Sequence, residues 1–213
     1  GSGTITDSLT NLLNVGQTAI SDDFSNARAE DTDVNVIISD GTGTLAAAKL
    51  SLITAKTTGS VTLQSAQTIS GTGSEVTAAL ITDPVSLGAA SSATVSGDIT
   101  AEVAGNIANV TGITATYSGT VTDSLANLAD SGEITTNFSR ARGDDAGVDV
   151  VVNDGTGTLA AADLGAVTAK TTGTVTLQSA QTISGSGADL VAALKTDPAT
   201  LSAASTASIT SAV

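Results

Sequence analysis

At 213 residues with a formal charge of −14, from 21 acidic and 7 basic side chains, the chain repels nucleic-acid backbones and anionic membrane surfaces. It contains no Cys, His, Trp or Met, which removes disulfides, thiolate and imidazole metal sites, Ser-His-Asp catalysis and cysteine chemistry. No apolar run is long enough to span a bilayer, and no basic and then apolar leader is visible at its start.

In chain order, the β-branched runs 4–6 and 34–39 predict strands. A helix follows, with Leu45, Ala48, Leu52 and Ala55 on one face and Thr44 as its N-cap. Gly59 comes after Lys-Thr-Thr, as at a helix end. Strands at 61–63 and 68–70 precede a short helix over 74–81, stopped by Asp83-Pro84. A strand at 94–96 leads to a helix over 100–110, capped by Asp98 or Thr100. Strands at 113–117 and 120–122 and a helix at 124–129 come next. Beyond them lie strands at 148–153, 175–177, 182–184 and 208–210. Between those strands fall a helix with the face Leu159, Ala162, Ala166 and Ala169, capped by Thr158 and followed by Gly173, and another over 188–194 before Asp197-Pro198.

The chain repeats itself. VTLQSAQTISG stands at 61–71 and again at 175–185, and 41–97 matches 155–211 without gaps at an offset of 114. Gly3-Thr4-Ile5-Thr6-Asp7-Ser8-Leu9 returns as Gly119-Thr120-Val121-Thr122-Asp123-Ser124-Leu125 at an offset of 116, so the second copy lacks two residues before Phe138, which matches Phe24. Residues 1–118 form a first long repeat and 119–213 a second, truncated one, in one continuous solenoid. Ile5, Val36, Val61, Val95 and Val121 serve as strand anchors, with steps of 31, 25, 34 and 26 residues. Four strand–helix coils per long repeat, with a parallel sheet on one face, make an α/β solenoid of right-handed sense. Phe24, Tyr117 and Phe138 are the sole aromatics, so the core is thin and filled by Ala, Val, Leu and Ile. Tandem β-sandwich domains or an all-β solenoid are the alternatives, and the Ala-rich run TLAAAKLSLITAK, without period-two alternation, argues against them. Neither end carries a polar capping unit, so end-to-end self-association or adjoining repeats of a longer chain are expected partners.

Little in the chain is arranged for chemistry. The pairs Asp22-Asp23 and Asp144-Asp145 sit in polar segments, predicted to be solvated loops unsuited to acid–base work. Gly41-Thr42-Gly43 and Gly155-Thr156-Gly157 fall between strand and helix, but no G-x-G-x-x-G or Walker lysine accompanies them, so a plain corner is expected. The expected cofactor is none. If a cation binds, hard oxygen donors point to calcium, with Asp22, Asp23, Asp31, Asp33, Asp40 and Asp154 as candidate ligands. No EF-hand or calcium nonapeptide is present, and a solvated acidic loop is the favoured reading of that cluster. Arg142-Gly143-Asp144 spells an integrin tripeptide that the first copy does not keep. Asn109 and Asn137 open formal glycosylation sequons. Thr-x-Thr steps at Thr4/Thr6, Thr114/Thr116, Thr120/Thr122 and Thr174/Thr176 would suit an ice-binding face only if the coils were even, and steps of 25 to 34 residues count against that.

Blocks such as VNVIISDGTGTLAAAKLSLITAKTTGSVTLQSAQTISGTGSEVTAAL, GTVTDSLANLAD and TVSGDITAEVAGNIANV resemble the Thr/Ala-rich repeat arrays of giant secreted or cell-surface proteins of marine cyanobacteria and of structural proteins of their phages. The resemblance runs from Gly3 to Val213 and implies an extracellular, cell-surface or virion location, with no catalytic or cofactor residues to transfer. The expected function is a non-enzymatic structural one: an extended spacer, surface-layer, filament or fibre segment. The alternatives are an adhesin or phage-fibre module binding a cell-surface glycan, for which Tyr117 is the one aromatic without a counterpart, and a calcium-stiffened stalk.

Overall fold

The structure is a computed structural model that describes residues 3–83, 85–88 and 91–211. Gly1, Ser2, Pro84 and Val213, which enter the expectations above, lie outside the described residues. The chain divides into two compact units, Gly1–Ser96 with Val110–Thr116 and Gly97–Asn109 with Tyr117–Val213. The border therefore does not fall at 118/119: residues 97–109, first-repeat in sequence, belong to the second unit.

In the first unit the chain runs β1 (Thr4–Asp7), α1 (Leu9–Leu12), α2 (Asp22–Glu30), β2 (Asn35–Ile38), β3 (Gly43–Ala46), α3 (Ala47–Thr54), β4 (Val61–Leu63), β5 (Gln67–Thr72) and α4 (Gly73–Thr77). A π-helical turn (Ala78–Thr82), β6 (Ser91–Ser96) and β7 (Ile113–Tyr117) follow. Its strands form two sheets, β1-β2-β4 and β3-β5-β6-β7. Ile5 pairs in parallel with Val36, and Val36 with Val61, so three of the predicted anchors share one register. Val95 does not continue it: it lies in the other sheet opposite Gly71, while Ser86 bridges Thr62 in the first. One strand per coil was too few. Corners at 39–42 and 64–66 turn the chain from one sheet into the other. Val36, Ile38, Leu45, Val61, Leu63, Ile69, Ala93 and Val95 point inward and are buried, and Thr and Ser alternate with them outward.

The second unit repeats the plan. Its elements are α5 (Ala101–Ala108), β8 (Thr120–Asp123), α6 (Leu125–Leu128), a hairpin of β9 (Ala129–Asp130) and β10 (Glu133–Ile134), α7 (Thr136–Asp144), β11 (Asp149–Val152), β12 (Gly157–Ala160) and α8 (Ala161–Thr168). They continue as β13 (Val175–Leu177), β14 (Gln181–Ser186), α9 (Gly187–Val191), a second π-helical turn (Ala192–Thr196) and β15 (Thr206–Ser211). Parallel sheets β8-β11-β13 and β12-β14-β15 form, with Val121, Val150 and Val175 in register. Mixed α/β architecture with mostly parallel sheets is thus the fold class. It leaves no place for the antiparallel sandwich, since β9 and β10 are the one antiparallel strand pair among the described residues.

The predicted faces of the long helices were misplaced. Leu45 is the inward residue of β3, and α3 starts at Ala47, so it buries Ala47, Leu50, Ile53 and Thr54. Ala48 and Ala55 are exposed and Leu52 is half-buried. In α8 the buried set is Ala161, Leu164, Gly165, Val167 and Thr168, whereas Ala162 and Ala169 are exposed. Beginning the helical count two residues early rotates the inferred face by about 200°. Thr44 and Thr158 belong to strands, and the N-caps Ala46 and Ala160 make no side-chain bond. Thr100 does cap α5, accepting from the Val103 N–H at 3.3 Å. Gly59 and Gly173 are required by close approach and not by a left-handed helix end. A Cβ on Gly59 would lie 2.3 Å from the Asp33 carbonyl oxygen, and one on Gly173 would lie 2.5 Å from that of Gly147.

Three helices were not foreseen: α1, α2 and α7. The acidic segment read as a solvated loop is largely α2, and Asp144 closes the counterpart helix α7. Ser21 caps α2, and Asp22 and Asp23 occupy its first turn, where the helix dipole favours negative charge. α2 buries Phe24 alone, so it shows little periodicity; Phe138 is the matching anchor of α7.

Candidate functional site

At the sheet corners, aspartates and glutamines bind backbone groups 22 to 31 residues away in the chain. The Asp40 carboxylate accepts the first N–H of α1, from Leu9, at 2.7 Å, and Asp154 accepts the Leu125 N–H of α6 at the same distance. Asp7 takes the Ser8 N–H and the Asn11 amide on its Oδ1, at 2.7 and 2.8 Å. Asp123 repeats both bonds at 2.9 and 2.7 Å and adds on Oδ2 the Ala101 N–H of α5 at 3.0 Å. These carboxylates neutralise helix N-termini that would otherwise present unpaired N–H groups.

The corner glycines are held the opposite way. The Gln67 side chain, 3% exposed, donates from Nε2 to the carbonyls of Asp40 and Gly41. Gln181 donates in the same way to Asp154 and Gly155. Gly41-Thr42-Gly43 therefore joins β2 to β3, not a strand to a helix, and at that corner carbonyls face the buried side chain. A phosphate cradle needs converging N–H groups, and these corners offer a neighbouring amide their acceptors instead. Gln67 and Gln181 were missed from the sequence. The available signal was their place two residues before the inward Ile69 and Ile183, which puts them on the buried face of a strand.

The calcium candidates do not converge. Asp22 and Asp23 are exposed in α2, Asp40 and Asp154 each serve a different helix start, and Asp31 accepts the N–H groups of Gly3 at 2.9 Å and Asp33 at 3.3 Å. A side-chain hydrogen bond between the Asp31 and Asp33 carboxyl groups holds Asp31 below its usual range, with the Gly3 N–H adding to the effect. The same carboxyl–carboxyl bond, together with the Asp31 charge, raises Asp33. Among the described residues no three acidic side chains are placed to hold a metal ion.

The remaining motifs are placed as follows. Arg142-Gly143-Asp144 forms the last turn of α7. Asn109 is the C-cap of α5, and Asn137 lies under Gly105, whose added Cβ would come within 2.6 Å of the Asn137 Cα. All three aromatic rings are buried, at 2% exposure for Phe24, 0% for Phe138 and 8% for Tyr117. The Tyr117 hydroxyl donates to the Ala104 carbonyl at 2.9 Å, and its pKa is pushed well up, mainly by burial and then by the Asp144 and Asp145 charges. Outward hydroxyls align better than uneven coil lengths suggested. Thr44, Thr68 and Ser92 share one row of the second sheet at a 24-residue step, and the Thr68 and Ser92 hydroxyls lie 3.0 Å apart.

A cavity of about 650 Å³ lies in the first unit, bounded by β1, α1 and α2, with Ile5, Asp7, Leu12 and Phe24 in its wall. Its lining carries the acids Asp7 and Asp23 but no basic side chain. No helix among the described residues is long and apolar enough to cross a membrane. No protein-family model matches the chain, and no curated protein or solved structure is significantly similar to it.

Proposed function

We propose that this chain is a non-enzymatic structural repeat protein, a solenoid of stacked strand–helix coils acting as an extended spacer, surface-layer, filament or fibre segment outside the cell, on its surface or in a virion. What supports the reading above all is the use of its polar side chains. Gln67, Gln181, Asp40, Asp154 and Asp123 bind backbone groups of the adjacent coil, leaving the sequence's most suggestive groups engaged in joining coils. The pairing step agrees: Leu45 to Ile69, Ile69 to Ala93 and Ile183 to Ala207 are each 24 residues apart in parallel register. Such coil-to-coil bonding propagates along one direction and suits extension more than enclosure of a substrate. Burial of every aromatic ring weighs against a sugar-stacking platform.

Cryo-electron microscopy with light scattering tests the proposal. Rods or fibres with an axial rise of about 4.8 Å per coil are expected, from the spacing of hydrogen-bonded strands. Compact, roughly spherical particles would overturn it.

A further inference from the structure

The two units treat equivalent grooves differently. In the second unit α5 packs on α7 and lies against β8 and α6. Its start is fixed by Asp123 through the Ala101 N–H, and its crossing on α7 is allowed by Gly105, which has no room for a Cβ over Asn137. Just before α5, Ile99 bridges Val121: its N–H donates to the Thr120 carbonyl at 3.0 Å and its carbonyl accepts the Thr122 N–H at 2.8 Å. This strand–helix segment leaves Val121 at 0% and Asp123 at 8% exposure.

By the repeat, the counterparts in the first unit are Thr4, Ile5, Thr6 and Asp7 on β1, with Ser21, Asp22, Asp23 and Phe24 opening α2. Here β1 is the edge of its sheet, Ile5 and Asp7 are half-buried, and the space that α5 occupies beside β8 corresponds to the 650 Å³ cavity.

We propose that this groove of the first unit is a docking site for a strand–helix segment of the α5 type contributed by another repeat. The strand part pairs along Thr4 and Thr6 as Ile99 does along Thr120 and Thr122. The helix enters N-terminus first onto the Asp7 carboxylate, with glycine at its crossing of α2. Charge defines the occupant further. Where α7 begins with Thr136 and Asn137, α2 begins with Asp22 and Asp23, so an acid at the place of Glu102, which faces Thr136 and Asn137 across a shared cleft, is disfavoured and a basic or amide side chain is preferred. The inference rests on the reading of the chain as part of a coil array and names the partner such an array needs at this face.

The test uses the full chain and synthetic peptides spanning residues 97–118, with hydrogen exchange and fluorescence anisotropy as readouts. The E102K peptide is expected to protect Thr6 and the start of α2, and to bind roughly fivefold more tightly than the unaltered peptide. Asp7→Asn in the chain weakens both. Gly105→Val in the peptide abolishes binding, because its side chain meets the α2 backbone. Because short helices are marginal alone, the E102K segment is also joined to Gly1 through a flexible Gly/Ser linker, which raises its local concentration to the millimolar range. Unchanged exchange of Thr6 in that fusion, equal binding of the Gly105→Val peptide, or protection mapping to another surface would each overturn the proposal. So would protection of Thr6 that grows with concentration of the chain alone, which would mean that a second whole copy covers the groove. Rods in the micrographs together with no docking would refute this inference and leave the array reading standing.

Discussion

Replacing Gln181 by leucine isolates the contribution of the corner clamp. Its Nε2 donates to the Asp154 and Gly155 carbonyls from a side chain 3% exposed, so Gln181→Leu leaves two part-buried acceptors without that donor. Each orphaned group costs about 1–3 kcal/mol. Two gains offset part of this. Leucine buries more apolar surface, and the Gln181 Oε1, which has no partner among the described residues, is removed. The net loss expected is about 2 kcal/mol, a downward shift of roughly 1 M in urea midpoint at the slopes usual for small proteins. Because the chain has two compact units, amide exchange at β12 and β14 is followed beside the global transition. Gln181→Glu sharpens the test. A carboxylate facing two carbonyls is repelled, so the folded-state pKa of this glutamate rises above its unfolded value of about 4.3. A group with a raised folded pKa contributes its stability below the unfolded pKa and loses it as pH rises, so the variant is expected to be weak at pH 7 and to recover near pH 4 relative to the unaltered chain. Equal stability of Gln181→Leu and the unaltered chain, with no pH dependence in Gln181→Glu, would refute the reasoning and mean that water satisfies the corner carbonyls.

Three further outcomes are expected. Gly173→Ala places a Cβ within 2.5 Å of the Gly147 and Val148 carbonyl oxygens and should cost about 1–3 kcal/mol, measured by urea unfolding, whereas Gly143→Ala, with no atom within 4 Å of its Cβ, should be neutral or slightly stabilising. Asp123→Asn retains one acceptor where the carboxylate serves three donors and should lower stability by about 1–2 kcal/mol, with faster exchange at Ala101; unchanged exchange there would exclude a capping role. The phenol of Tyr117 is held neutral by burial, so its contribution is intact below pH 10 and declines as pH rises beyond it; Tyr117→Phe should remove that alkaline loss while forfeiting the bond to Ala104, as followed by thermal melts across pH.

Much of the strand content could be read from the chain, because Val, Ile and Thr runs such as 34–39 and 61–63 marked strands, and the anchors Ile5, Val36 and Val61 chosen from them share one register. The Lys-Thr-Thr pattern marked Gly59 and Gly173 as helix ends, whereas close backbone approach is what requires them. The candidate site was less legible. Asp40 and Asp154 were visible as candidate ligands, but the groups they bind lie roughly 30 residues away, and nothing local announces that separation.

By itself, then, the sequence determined the period, the β-branched and Ala-rich alternation, the small-aliphatic core and the absence of the side chains that most catalysis and soft-metal binding require, because these are properties of residue types and spacings. Tertiary structure alone decided that the strands of each unit divide between separate parallel sheets, that α3 and α8 start two residues later than their apolar pattern suggests, that α2 exists around a single buried Phe24, and that carboxylates and amides serve backbone groups distant in the chain. The physical reason is common to all four. A short segment with one or two buried side chains has nearly balanced local preferences, so the deciding free energy comes from backbone groups and apolar faces that only segments distant in the chain can satisfy.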